Sequence, residues 1–373
     1  MKTYILATVG TSLLTNLRKE LGWPQDELPD PRKAVAFLKK RQPSERVCGA
    51  EINSINHLLQ GQKTSVGTVE KPVEIHFLVS DTPEGEWSGR VLKLYFEGWP
   101  KDSVEKVGCT TVQRLQDADA QAFAHHGLRN LVKEAARLLA DAQRRAPHAL
   151  RLIDATGGYK AQISFATLLG QAFGVPVVYL FERFPHCIEM PPLPVSFDRS
   201  LWIEHYWLFK KLSDELCLPA DQVRRSDVDD RLWQLLDHET VDGVECIALS
   251  PILEVMHQGF ELRPPEALQE PPPSDRPPEQ KLRINEAEMA HAPHNSRKCM
   301  ERLARLPWVT RVENIRFVNT AQSKVKSGAT DAVDEILVVY SDGNKGIEIK
   351  LSTTCRLQAQ RQWCLEQLRR QLS

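Results

Sequence analysis

Through the first two hundred residues, short apolar runs alternate with longer stretches whose apolar positions recur every three or four residues. The runs at 4–9, 73–79, 90–96, 150–155 and 175–181 have strand length and are rich in Val, Ile, Leu and aromatics. They predict strands, while the periodic stretches at 34–40, 51–59, 120–144 and 162–173 predict helices. This alternation implies an α/β domain over residues 1–198, a Rossmann-like doubly wound sheet with helices on both faces. Ligands of such sheets bind outside the carboxyl ends of the strands. Two polar, glycine-containing loops are expected there: Val9-Gly10-Thr11-Ser12 after the first strand, and Asp154-Ala155-Thr156-Gly157-Gly158-Tyr159-Lys160-Ala161 after a later one.

The pattern changes over 199–262. Stretches 201–216 and 227–239 predict helices, and Asp242-Gly243 between apolar residues predicts a hairpin. Helix, helix, hairpin outlines a winged-helix-like module. Seven prolines between Arg263 and Lys281 then predict a semi-rigid, solvated linker over 263–281. Residues 282–373 predict a small α+β domain with an antiparallel sheet. Its parts are a helix at 296–306, strands at 309–318, 333–341 and 346–352 forming a three-stranded meander, and a final helix over 357–372.

Charge sharpens this division. Residues 200–262 hold 13 acidic and 5 basic side chains, which repels a phosphate backbone and argues against DNA binding by the helix–hairpin module. A structural or dimerisation role is the expectation for it. Residues 295–373 hold 14 Lys/Arg and 8 Asp/Glu, in a chain whose net charge is −1, so the C-terminal part is the expected meeting point with nucleic acid. No run approaches the length of a membrane span, and the apolar start 4–9 is too short for a signal peptide. The eight cysteines include no CxxC pair, which argues against a zinc site or a disulfide framework and for reduced thiols in the cytoplasm.

The octapeptide is the strongest chemical signal. A strand that breaks at Gly157-Gly158 and restarts as a helix turns free backbone N–H groups toward an anion, usually phosphate. Thr156 adds a hydroxyl and Lys160 a mobile charge. It matches neither the P-loop nor the GxGxxG fingerprint. ATVGTSLLTN at 7–16, the octapeptide at 154–161 and Gly49-Ala50-Glu51-Ile52-Asn53-Ser54-Ile55 between them resemble the signature segments of CRISPR-associated Rossmann-fold (CARF) domains. The resemblance covers roughly the first 200 residues. It implies a two-fold dimer that binds a cyclic oligoadenylate, with cyclic tetra-adenylate as the expected allosteric activator and no other cofactor. It also implies a site lined by Gly10, Thr11, Ser12, Thr156, Gly157, Gly158, Tyr159 and Lys160. Some such domains slowly cleave the ring, and Ser12 with Lys160 would position that step.

A sensor of this kind implies an effector farther along the chain. Arg199/His205 and Arg231/His238 fit the Arg–His spacing of one ribonuclease class only as often as chance allows. The C-terminal run 351–370 resembles the end of RelE-type mRNA interferases, in which a strand, basic residues, an aromatic and an amphipathic helix follow one another. That resemblance implies metal-independent cleavage of RNA, on the ribosome or off it. Lys324, Lys326, Arg356 and Arg361 would stabilise the scissile phosphate, and Trp363 would stack a base. Tryptophan stands where those enzymes carry tyrosine, so it cannot donate a proton. Two alternatives remain. Asp334 with Glu348-Ile349-Lys350 has the spacing of a PD-(D/E)xK metal nuclease. A CARF–winged-helix transcription regulator would need no nuclease at all.

Overall fold

The computed structural model describes residues 1–181, 184, 186–193, 197–262, 270–326 and 332–372. Two compact units divide the chain, Met1–Ser196 with Ser250–Arg263 and Phe197–Leu249 with Pro264–Ser373.

The first unit is a mixed α/β layer structure. Its sheet comprises β1 (Thr3–Thr8), β2 (Val73–Ser80), β3 (Val104–Val112), β4 (Leu150–Asp154), β5 (Val177–Tyr179) and β6 (Ile188–Met190), in the order β3-β2-β1-β4-β5-β6. All neighbours are parallel except β5 with β6. β1 and β2 are buried on both faces, which explains their unbroken apolar character. Chain order reverses between β1 and β4, so the switch point of this sheet lies between them. The helices that matter below are α1 (Ser12–Leu21), α2 (Gly49–Leu58), α3 (Pro83–Glu97), α4 (Leu128–Arg145), α5 (Lys160–Phe173) and α6 (Pro251–Leu262).

Several expectations change. The run 90–96 lies inside α3, where Trp87, Val91, Leu92, Tyr95 and Phe96 bury one helical face. Thr82 and Pro83 start that helix, the Thr82 hydroxyl accepting from Gly85 N–H. The strand that follows, β3, carries too many polar residues to stand out in the sequence. The helix predicted over 120–144 is broken at its start by a π turn, Phe123–Gly127. α6, grouped with the acidic module by composition, packs instead against α4 and α5 of the first unit.

In the second unit, 201–216 splits into helices Arg199–Glu204 and Tyr206–Asp214. The long helix expected over 227–239 is a single turn, Asp230–Trp233, because residues from Leu236 onward are strand. The hairpin forms as predicted: β8 (Leu236–Val241) pairs antiparallel with β9 (Val244–Leu249), and β7 (Leu218–Pro219) flanks β9. Asp242 (φ 50°) and Gly243 (φ 80°) turn the chain with both central residues left-handed.

The last sheet has five strands: β10 (Leu282–Arg283), β11 (Val309–Val318), β12 (Lys324–Lys326), β13 (Glu335–Ser341) and β14 (Gly346–Thr353), in the order β10-β11-β14-β13-β12. The expected meander is therefore incorrect, since β11 lies beside β14 and not beside β13. Residues 263–269 of the proline-rich stretch lie outside the described residues. Most of its second half, 270–281, is exposed as expected, but it is pinned at a few points. Lys281 is buried with its ammonium on the Leu306 carbonyl (3.1 Å), and the Thr354 hydroxyl donates to Pro272 O (2.6 Å).

Candidate functional site

The two glycine loops meet at the switch point. β1 and β4 run side by side with Ala7 opposite Asp154, so their loops leave the same sheet edge. The backbones touch: a Cβ on Gly10 would lie 2.8 Å from Gly158 N. Gly158 has φ 106°, which an L side chain rarely adopts. The Thr8 hydroxyl donates to Gly157 O (2.5 Å), and the Gln162 carboxamide oxygen accepts from Tyr159 N–H (2.7 Å), closing the first turn of α5. These contacts hold a bare-backbone turn at the amino end of a 14-residue helix, where a fixed anion gains both N–H donors and the helix dipole.

Of the residues named from sequence, Thr11, Ser12 and Lys160 are exposed around this turn, and Gly10 and Gly158 are half-buried. Tyr159 is half-buried with its ring edge-on to Phe123 at 5.2 Å, and burial raises its phenol above the usual value. Thr156 has a different place from the one expected. Its hydroxyl donates to Asp154 Oδ1 (2.5 Å) and accepts from Leu180 N–H (3.0 Å), so it braces the loop from inside.

Sequence reading passed over the polar floor of this edge. Asp154 is buried; Ser54 donates to its Oδ2 (2.5 Å), and burial pushes its carboxyl group up against the opposing effect of the Ser54 and Thr156 bonds. Glu51, also buried, accepts from Gly10 N–H (2.7 Å). Burial raises its carboxyl group to about 7 despite that bond, with the Asp154 charge adding to the rise. The available signal was the place of Glu51 on one helix face with Ser54, Ile55 and Leu58.

The candidates in the C-terminal sheet are less closely gathered. Lys324 reaches Asp227 O (3.2 Å), and burial lowers its ammonium below the usual value. Lys326 pairs with Glu348 (2.7 Å), which also accepts from Arg316 (2.7 Å). Burial works to raise the Glu348 carboxyl group, but these two cations outweigh it and hold it below the usual range. Arg356 is exposed. Arg361 is buried and donates to Glu335 O (3.4 and 3.3 Å), and Trp363 packs edge-on to Trp308 at 6.3 Å. Arg361 and Trp363 are thus engaged in packing, on a final helix (Gln358–Leu372) that lies against the Lys324–Lys326 strand.

The metal-nuclease triad does not assemble either. Thr353 N–H bonds Asp334 O, whereas Glu348 lies opposite Val339, five positions along β13, and its carboxylate is taken by cations. Lys350 sits on the Glu348 face but pairs with Glu335 (2.5 Å). Among the described residues no three His, Cys, Asp or Glu gather as metal ligands. A divalent ion does not fit this arrangement of side chains. Nor, among the described residues, is any helix long and apolar enough to cross a membrane.

No curated protein matches the chain. Residues 46–193, which hold Glu51, the octapeptide and β2 to β6, match the family described as CRISPR-associated protein (Cas_APE2256), and this associates the chain with CRISPR systems.

Proposed function

We propose that this chain is a CRISPR-defence effector, a homodimeric nuclease switched on by a cyclic oligoadenylate. The observation that carries the reading is the convergence of the Gly10–Ser12 and Gly157–Lys160 loops at the switch point of a parallel sheet. The bare backbone and exposed Thr11, Ser12 and Lys160 suit the phosphodiesters of a nucleotide ring. The half-buried Tyr159 ring offers an adenine a flat partner. Cyclic tetra-adenylate is the proposed activator, and slow cleavage of that ring at Ser12 is part of the proposal.

The C-terminal unit is the proposed cutter of RNA. Lys324 and Lys326 on β12 and Arg316 on β11 place cationic groups to either side of the buried Glu348, an arrangement able to stabilise charge developing on a scissile phosphate without a metal. Arg356 is exposed and free to approach the same substrate.

The test is cleavage of labelled RNA and DNA by the full chain with cyclic tetra-adenylate, with and without EDTA. RNA cleavage that persists in EDTA and falls at least tenfold in Lys326→Ala supports this reading. Cleavage abolished by EDTA and restored by Mn²⁺ would overturn the metal-free reading. Absence of cleavage with any cyclic oligoadenylate would sink the reading altogether.

A further inference from the structure

Beneath the two loops lies a carboxyl group that an arriving anion would disturb. Glu51 is 1% exposed. Its Oε1 accepts from Gly10 N–H, and a Cβ placed on Gly157 would strike the same oxygen, so this one group abuts both loops. Its Oε2 is buried with no hydrogen-bond partner. The amide nitrogen of Gln162, fully buried in the first turn of α5, is likewise without a partner. A buried carboxylate with an unsatisfied oxygen is costly, whereas a neutral carboxyl group in the same place is much less so.

We propose that Glu51 is a proton-linked positioning residue, tying the Gly10 loop to the Gly157 turn and taking up a proton when an anionic ligand occupies the edge above it. The inference rests on the reading of that edge as a cyclic-oligoadenylate site. Phosphates brought to the loop N–H groups place negative charge over a carboxylate already out of water, where repulsion is poorly screened. The neighbouring elements offer little relief. Asp154 on β4 has the same sign; Lys160, at the start of α5, is exposed to solvent; the end of β1 and the first turn of α1 present only Thr8, Thr11 and Ser12. Protonation removes the repulsion and turns the unpartnered oxygen into a donor. Ligand and proton therefore favour one another, as reciprocal linkage requires. The rise of the Glu51 carboxyl group to about 7 in the free protein puts the switch near neutrality.

The experiment is binding of cyclic tetra-adenylate to the full chain between about pH 6 and pH 9, a range in which phosphodiesters do not titrate. Wild-type affinity should fall as pH rises, by up to roughly tenfold per pH unit, the ceiling for one linked proton. Glu51→Gln, neutral at every pH and of the same shape, should give a flat profile that meets the wild type at low pH and exceeds it at high pH. Isothermal titration of the wild type in buffers of different ionisation enthalpy should show uptake of up to about half a proton per carboxyl group at pH 7, and more at pH 8. That readout stands even where the variant fails to fold. Parallel profiles for the two proteins, or binding without proton uptake, overturn the proposal and leave the ligand site intact. No binding at any pH overturns the ligand reading itself and this proposal with it.

Discussion

At Gly157 a single methyl group decides whether the two loops can meet. A Cβ there would run into the Glu51 carboxylate and approach Thr8 O at 2.8 Å, and neither the buried acid nor the strand backbone has room to retreat. Gly157→Ala should cost roughly 1–3 kcal/mol of stability, the usual penalty of overpacking. It should also weaken cyclic-oligoadenylate binding by more than that loss explains, because the N–H groups of the turn are displaced together. Thermal unfolding read beside equilibrium binding checks this; a variant with wild-type melting and affinity would show that the turn tolerates the shift. The glycine pair was conspicuous in the sequence because Gly-Gly between an apolar run and a helical pattern announces a turn. The acid beneath it was not. A glutamate in an amphipathic helix ordinarily faces water, and only packing against both loops makes Glu51 an interior group.

Elements were legible where their apolar period was pure. β1, β2 and β4 appear within a residue or two of expectation, and α5 begins at Lys160, inside the octapeptide and two residues before the expected start. The run at 90–96 failed because Val91, Leu92, Tyr95 and Phe96 satisfy both a short strand and one helical face, and the capping residues Thr82-Pro83 lie eight residues earlier. The order of the C-terminal strands was beyond local pattern, since β11 reaches past β12 and β13 in the chain to pair with β14. α6 poses the same problem of range. What fixes it to α4 is a buried ion pair, Arg129 Nε to Glu254 Oε2 at 3.0 Å, with side chains 3% and 0% exposed. Removing one partner strands a charge in the interior, so Glu254→Ala should destabilise the first unit by about 3–5 kcal/mol. Replacing both by apolar residues of similar size should cost much less. A double-mutant cycle in chemical denaturation measures the difference, and equal losses in the single and double variants would contradict it.

The two units should respond differently to acid. In the first unit, burial holds the His76 imidazole at about 4 while burial of Glu51 raises that carboxyl group to about 7. A lowered histidine favours the unfolded state as pH falls below its unfolded value near 6.5; a raised carboxyl group favours the folded state over nearly the same interval. The two effects oppose one another, and the raised Asp154 carboxyl group adds to the Glu51 side, so the first unit should not lose stability between about pH 7 and 5. In the second unit His205 is also held at about 4 by burial, which prevails over the raising effect of the Leu201 carbonyl. Its ring is placed as a neutral imidazole, with Nδ1 3.1 Å from that carbonyl and Nε2 accepting from Asp229 N–H at 3.0 Å. A second proton would break the latter bond. Among carboxyl groups of this unit with displaced values, Asp229, Asp342 and Glu348 are all lowered, so they add to the acid loss at still lower pH. His205 should therefore remove roughly 2 kcal/mol from the second unit on going from pH 7 to pH 5. Hydrogen exchange resolved by segment should show residues of the Tyr206–Asp214 helix and β9 losing protection in that interval while β1 and β2 hold theirs. His205→Gln keeps an acceptor for Asp229 N–H without a titrating ring, and should flatten the response of the second unit alone. Loss of protection in both units at the same pH would mean that the balance between His76 and Glu51 is wrong.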